Sequence, residues 1–293
     1  MAKANQFRIL VATDGSSQAR SALTAAMHFP WPARTRVRAV VARRMGKEHT
    51  RSILLAALDR GPEFVGRAAQ RRLRRRWPDT DVVVLDKAPV AGVLSEAQRF
   101  AADVIVLGWR GHGPIQRLLM GSVSRGVVRG ARCSVFVVRR RSVDVRRMLI
   151  GVDGSPGARR AAAFVERLEA PRNGSVTLFT AVEQTALPAQ TLATSAIRAA
   201  VAAEVKRQNA ASVTTAKRRL VRIAATLQHR GWRVRTVVST EAPLRAVLGT
   251  VAEVKADVVV VGARGCGGVR RLLLGSVAEG VLNDCPVPVL VVR

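Results

Sequence analysis

The chain contains one sequence pattern twice. ILVATDGS (Ile9–Ser16) recurs as LIGVDGS (Leu149–Ser155), which matches Asp14 to Asp153 at an offset of 139 residues. ADVIVLGWRGHGPIQRLLMGSVSRGVV from Ala102 recurs as ADVVVVGARGCGGVRRLLLGSVAEGVL from Ala256, at an offset of 154. A chain of 293 residues that repeats in this way holds two domains of ordinary size, each able to bury its own core. The offsets differ by 15, so the second copy carries an insertion between its second and third strands, placed in the Ala/Thr-rich helical stretch Gln190–His229. The expected domains are residues 1–142 and 143–293, with the helical insertion at about 185–229 and a short basic link near Arg139–Arg147.

Within each copy, strands alternate with helices. The first copy reads as strands at Phe7–Ala12, Thr35–Ala42, Asp81–Asp86, Asp103–Gly108 and Ser134–Arg139. Its helices fall at Ser17–His28, Arg51–Arg76, Val90–Ala101 and Ser122–Ala131. The second copy reads as strands near Arg146–Val152, Ser175–Ala181, Arg233–Ser239, Asp257–Gly262 and Val287–Val292. Runs such as VVVL and VVVV are apolar on both faces, as a parallel strand covered by helices must be. The expected fold is therefore α/β: two tandem doubly wound domains, each a five-stranded parallel sheet flanked by helices, Rossmann-like, with right-handed crossovers.

Each copy also holds the pattern G-x2-G-x9-G-S, as Gly108, Gly111, Gly121 and Ser122, and again as Gly262, Gly265, Gly275 and Ser276. It begins where a strand ends and finishes where a helix begins. Glycines let backbone N–H groups approach an anion closely, and a helix N-terminus adds free N–H groups and the positive end of the helix dipole. A Gly-Ser pair before a helix is also the composition of an ordinary turn and cap. The repetition at identical spacing favours the phosphate-binding reading. Asp14 and Asp153 end the first strands in D-G-S, itself a turn and cap signal. Ligands of doubly wound sheets bind at strand carboxyl ends where the strand order reverses, so Asp14 faces the Gly108 loop if the first and fourth strands are neighbours.

Charge and composition narrow the classes. There are 49 basic and 20 acidic residues, a formal charge of +29, which would attract nucleotides, nucleic acid or other polyanions. The densest run, Arg71, Arg72, Arg74, Arg75 and Arg76, reads as a solvated basic face at the end of a helix. Aromatics total 4% with no tyrosine, so the stacking set of a single-strand nucleic-acid binder is missing. Cys133, Cys266 and Cys285 show no zinc or CxxC spacing, and His28, His49, His112 and His229 form no ligand pair, so no metal site is expected. No apolar run approaches the length of a membrane span and the first residues lack a signal-peptide pattern, which predicts a cytoplasmic protein.

VATDGS, the Ala88-Pro89-Val90 segment, ADVIVLGWRGHG and LLMGSVS resemble a universal stress protein domain. GVDGS, EAPL, ADVVVVGARGCGG, LLLGSVAEGV and CPVPVLVV resemble it again, in a form closer to the family's usual pattern. The G-x2-G-x9-G-[ST] pattern marks the ATP-binding branch of that family, whose fold is related to adenine nucleotide α-hydrolases. The resemblance implies that Ala12, Asp14, Gly151 and Asp153 lie near the ribose or adenine, and that Ala42 and Ala181 read adenine through main-chain groups. It implies ribose and phosphate contacts for Gly108, Gly111, Gly121 and Ser122, and for Gly262, Gly265, Gly275 and Ser276. Gly113, Val123, Gly267 and Val277 are their implied backbone neighbours. Mg²⁺ on the phosphates is compatible with this set, although no carboxylate is reserved for it.

Two features depart from the family pattern. Lys87 and Glu241 stand where glycine is common before the proline, and Arg132 and Ser134 stand where prolines are usual. The expected function is a nucleotide-dependent stress regulator. With no Walker lysine and no placed general base, it would hydrolyse ATP slowly or not at all. A polyanion-binding stress protein and an adenylating or nucleotide-hydrolysing enzyme remain the alternatives. The fifth strands, Ser134–Arg139 and Val287–Val292, are expected to pair with each other, giving an internal pseudo-dimer that can form a homodimer of tandems.

Overall fold

The computed structural model describes residues 6–42, 61–110, 120–139, 145–186, 195–265 and 274–293. The first half runs β1 (Phe7–Ala12), α1 (Ser17–His28), β2 (Thr35–Ala42), α2 (Pro62–Leu73), β3 (Asp81–Leu85), α3 (Pro89–Arg99), β4 (Val104–Gly108), α4 (Ser122–Gly130) and β5 (Ser134–Val138). The second runs β6 (Arg147–Gly151), α5 (Pro156–Glu166), β7 (Ser175–Ala181), α6 (Ser195–His229), β8 (Arg233–Ser239), α7 (Pro243–Glu253), β9 (Val258–Gly262), α8 (Ser276–Asp284) and β10 (Val289–Val292).

Among the described residues the strands form one ten-stranded sheet, in the order β3-β2-β1-β4-β5-β10-β9-β6-β7-β8. Pairing within each half is parallel throughout. The halves join at a single antiparallel seam, where Val135, Phe136 and Val137 of β5 face Val291, Leu290 and Val289 of β10. The pairing expected between the fifth strands is thus present within one chain. Each half would otherwise leave an apolar parallel edge unpaired, and each edge here covers the other.

Several elements are shorter than the sequence suggests. Asp86, Asp103, Arg139, Arg146, Val152, Asp257, Val287 and Pro288 fall outside the strands; most are charged residues at strand ends, and Pro288 has no N–H to give to the ladder. The helix expected over Arg51–Arg76 is described as Pro62–Leu73; residues 43–60 lie outside the described set. The helices expected at Val90 and Ser122 run Pro89–Arg99 and Ser122–Gly130, the former with proline in its first turn, where a missing N–H costs nothing.

Apolar side chains fill a layer on each face of the sheet, and both layers run through both halves. α1, α2, α5 and α6 cover one face and α3, α4, α7 and α8 the other. At the seam, Phe29 lies 4.2 Å from Trp31 and 5.0 Å from Phe136 between ring centroids, and Phe7 lies 5.8 Å from Phe164 of the second half. The arginine run after α2 is largely, but not wholly, a solvated face. Arg72 donates to Thr24 Oγ1 at 2.6 Å, and Arg76 Nη1 donates to the carbonyls of Met27 and Phe29 at 2.5 and 2.9 Å, closing the C-terminal end of α1. Burial there pulls the Arg76 guanidinium below its ordinary pKa.

Candidate functional site

β1 lies between β2 and β4, and β6 between β7 and β9. In each half the strand order reverses at this point, which opens a crevice beyond the carboxyl ends of the strands. The D-G-S turns stand at its mouth. Gly15 and Gly154 have φ of +79° and +86°, a left-handed conformation that favours glycine. Asp14 Oδ1 accepts from Ser16 N at 3.0 Å, and Asp153 Oδ1 accepts from Ser155 N at 2.9 Å. The two serines then cap α1 and α5, accepting from Ala19 N at 3.1 Å and Ala158 N at 3.0 Å. The turn-and-cap role of D-G-S is therefore real, and it fixes one oxygen of each aspartate.

The glycine loops close the opposite wall. A Cβ at Gly108 would lie 2.8 Å from the backbone carbon of Gln18, and at Gly262 the backbone of Gly157 is closer still. The first glycine of each loop is thus required by the packing of α1 and α5, whatever the loop binds. Gly121 and Gly275 are the N-cap residues of α4 and α8 and supply no side-chain acceptor. Unlike α1 and α5, these helices point first-turn N–H groups toward the crevice without the usual cap, and their dipoles add positive charge there. Ser124 Oγ donates to the Gly108 carbonyl at 2.7 Å and holds the start of α4 to the end of β4.

A cavity of about 410 Å³ fills the first crevice and one of about 730 Å³ the second. Ala12, Asp14, Ala42, Gly108, Gly121, Ser122 and Val123 line the first. Gly151, Asp153, Ala181, Gly262, Gly265, Gly275, Ser276 and Val277 line the second. Gly111, Gly113 and Gly267 lie outside the described residues. Residues that the sequence reading did not name also face these spaces: Arg110 and Arg125 in the first, Glu183 and Arg264 in the second. Arg110 and Arg264 occupy one position of the repeat, just before the second glycine, so aligning the copies could have found them.

The first loop also touches the other half. Trp109, directly after Gly108, is buried and donates its indole N–H to the Leu282 carbonyl of α8 at 3.1 Å. Arg139 stacks on that ring at 4.0 Å and donates to the carbonyls of Asn283 and Cys285 at 2.8 and 3.1 Å. Its repeat counterpart, Arg293, donates to the Val128 carbonyl of α4 at 2.6 Å. Each half thus caps the C-terminal end of the other half's loop helix.

The fold agrees with known proteins. The profile of the universal stress protein family matches residues 7–139 and again residues 144–293. The chain belongs to the universal stress protein family. A universal stress protein of Mycobacterium tuberculosis is 34% identical over 208 residues, covering 66% of this chain and 62% of its own length. One of Thermus aquaticus is 34% identical over 149 residues, covering 45% of this chain and 97% of itself. The chain spans about six-tenths of the length of the mycobacterial relative. Among solved structures, a universal stress protein from Archaeoglobus fulgidus superposes with a TM-score of 0.69 at 20% identity, covering 98% of both chains, which shows the shared fold. Among the described residues of this universal stress protein no helix is long and apolar enough to cross a membrane.

Proposed function

We propose that this universal stress protein binds ATP in both crevices and acts as a nucleotide-dependent regulator in the stress response, with slow or no hydrolysis. One observation carries the reading. In each half, an aspartate-ended strand and a glycine-capped helix N-terminus line the same cavity at the point where strand order reverses. The cavity volumes suit a nucleotide-sized ligand. The cradle is one that a side chain would fill: a Cβ at Gly265 would lie 2.6 Å from Asp153 Oδ2. The first-turn N–H groups of α4 and α8 would hold phosphate, and the aspartates with the ends of β2 and β7 would hold the nucleoside. The chain's own residues would bind and orient the nucleotide. Mass spectrometry of the nucleotide released from purified, denatured protein tests the reading, with ATP or ADP as the expected species.

A second reading rests on surface charge. Arg71 and Arg75 at the end of α2, and Lys217, Arg218 and Arg222 on α6, are exposed. They form two separate basic patches, one toward each end of the sheet, and each is suited to sequence-independent contact with a polyanion.

A further inference from the structure

Arg125 distinguishes the two cavities. It lies in the first turn of α4, three residues after Ser122, and lines the first cavity with Arg110. The sequence has no Asp or Glu between Asp103 and Asp144, and among the described residues Arg125 forms no ion pair. Its counterpart in the repeat is Glu279, in the first turn of α8. Glu279 is not among the residues lining the second cavity; its carboxylate pairs at 2.7 Å with Arg129 of the other half. Among the described lining residues, the first cavity therefore has two guanidinium groups and one carboxylate, Asp14. The second has one guanidinium, Arg264, and two carboxylates, Asp153 and Glu183, around a larger space.

A cation beside a helix N-terminus gains most from a ligand with several phosphates, because each added phosphate brings charge to the end where both act. Among the described residues the second cavity offers less positive charge, around more room, so added phosphates gain less from them. We propose that Arg125 makes the first cavity rank adenine nucleotides by phosphate number, while the second takes mono-, di- and triphosphates with little preference. The proposal rests on the nucleotide-binding reading above and adds that the two sites differ in kind.

Calorimetric titration of the full chain with AMP, ADP and ATP at about 0.15 M salt tests it, where surface charge is screened beyond roughly 8 Å. The expected result is two affinity classes for ATP about tenfold or more apart, the scale of one charge-assisted hydrogen bond, and a single class for AMP. Arg125→Gln removes the tight ATP class and weakens AMP by a smaller factor than ATP, while Arg125→Lys retains at least part of the preference. Circular dichroism melts confirm that each variant is folded; if Arg125→Gln does not fold, the wild-type and Arg125→Lys titrations decide. Equal ATP affinity at both sites, or an Arg125→Gln loss that is the same for AMP and ATP, overturns the proposal and leaves nucleotide binding standing. Absence of heat with all three nucleotides overturns both.

Discussion

Gly265 presses its backbone against Asp153: a methyl group at that position would sit 2.6 Å from the carboxylate oxygen Oδ2. The aspartate at the end of the first strand of its half and the glycine loop after β9 are thus one constellation, although 112 residues separate them in the chain. Gly265→Ala must displace either the carboxylate or the loop. The expected cost is about 1–3 kcal/mol of stability, as for other overpacked sites, together with weaker nucleotide binding in the second cavity only. Urea denaturation and calorimetry check the two parts separately.

Gly121 and Gly275 differ from Gly265 in a useful way. Their φ angles are −60° and −67°, and a Cβ would meet backbone at 3.2 and 3.4 Å, so alanine needs little rearrangement of the empty fold. The double variant Gly121→Ala/Gly275→Ala should melt within a few degrees of the parent. It should bind ATP about tenfold more weakly, because the added methyl groups crowd the approach of phosphate to the helix N-termini. Unchanged affinity would identify these glycines as turn residues.

Trp109 links the first loop to the second half through its bond to the Leu282 carbonyl. Trp109→Phe leaves that buried acceptor without the indole donor and should cost about 1–3 kcal/mol, read as a shift of the denaturation midpoint. A neutral result would mean that the seam is held by β5, β10 and the arginine caps alone.

Burial pushes the Cys133 thiol up to about 11 from an ordinary value of 9.0. A raised acid pKa in the folded state favours folding below the unfolded value and loses that contribution as pH climbs through the folded one. The stability difference between wild type and Cys133→Ala should therefore be constant below pH 9 and shrink between pH 9 and about 11. Denaturant titrations at pH 7, 9 and 10.5 check the sign.

Much of this arrangement was legible in the sequence. The cores of β4 and β9 were readable because VIVL and VVVV are apolar on both faces and both faces are buried, whereas VVVL lies on the edge strand β3, where Val84 is exposed; the crevices were readable because D-G-S and the glycine loop both recur in the second copy. Strand ends such as Asp103 and Val287 were not, since a single residue at a strand end carries no periodicity. The arginine run is largely the exposed face its charge suggests, but charge density does not reveal partners: Arg76 also reaches the carbonyls of Met27 and Phe29, far away in sequence. Arg125 and Glu183 went unnamed for a related reason. A lone charged residue acquires meaning only when the fold aims it at a cavity.

The number of ATP molecules bound per chain tests the central claim most directly. Isothermal titration of the full chain should give two, with Gly265→Ala reducing the count of sites near the parent affinity to one. Stoichiometry of zero at millimolar ATP and Mg²⁺, or two sites of parental affinity retained in Gly121→Ala/Gly265→Ala, would contradict it.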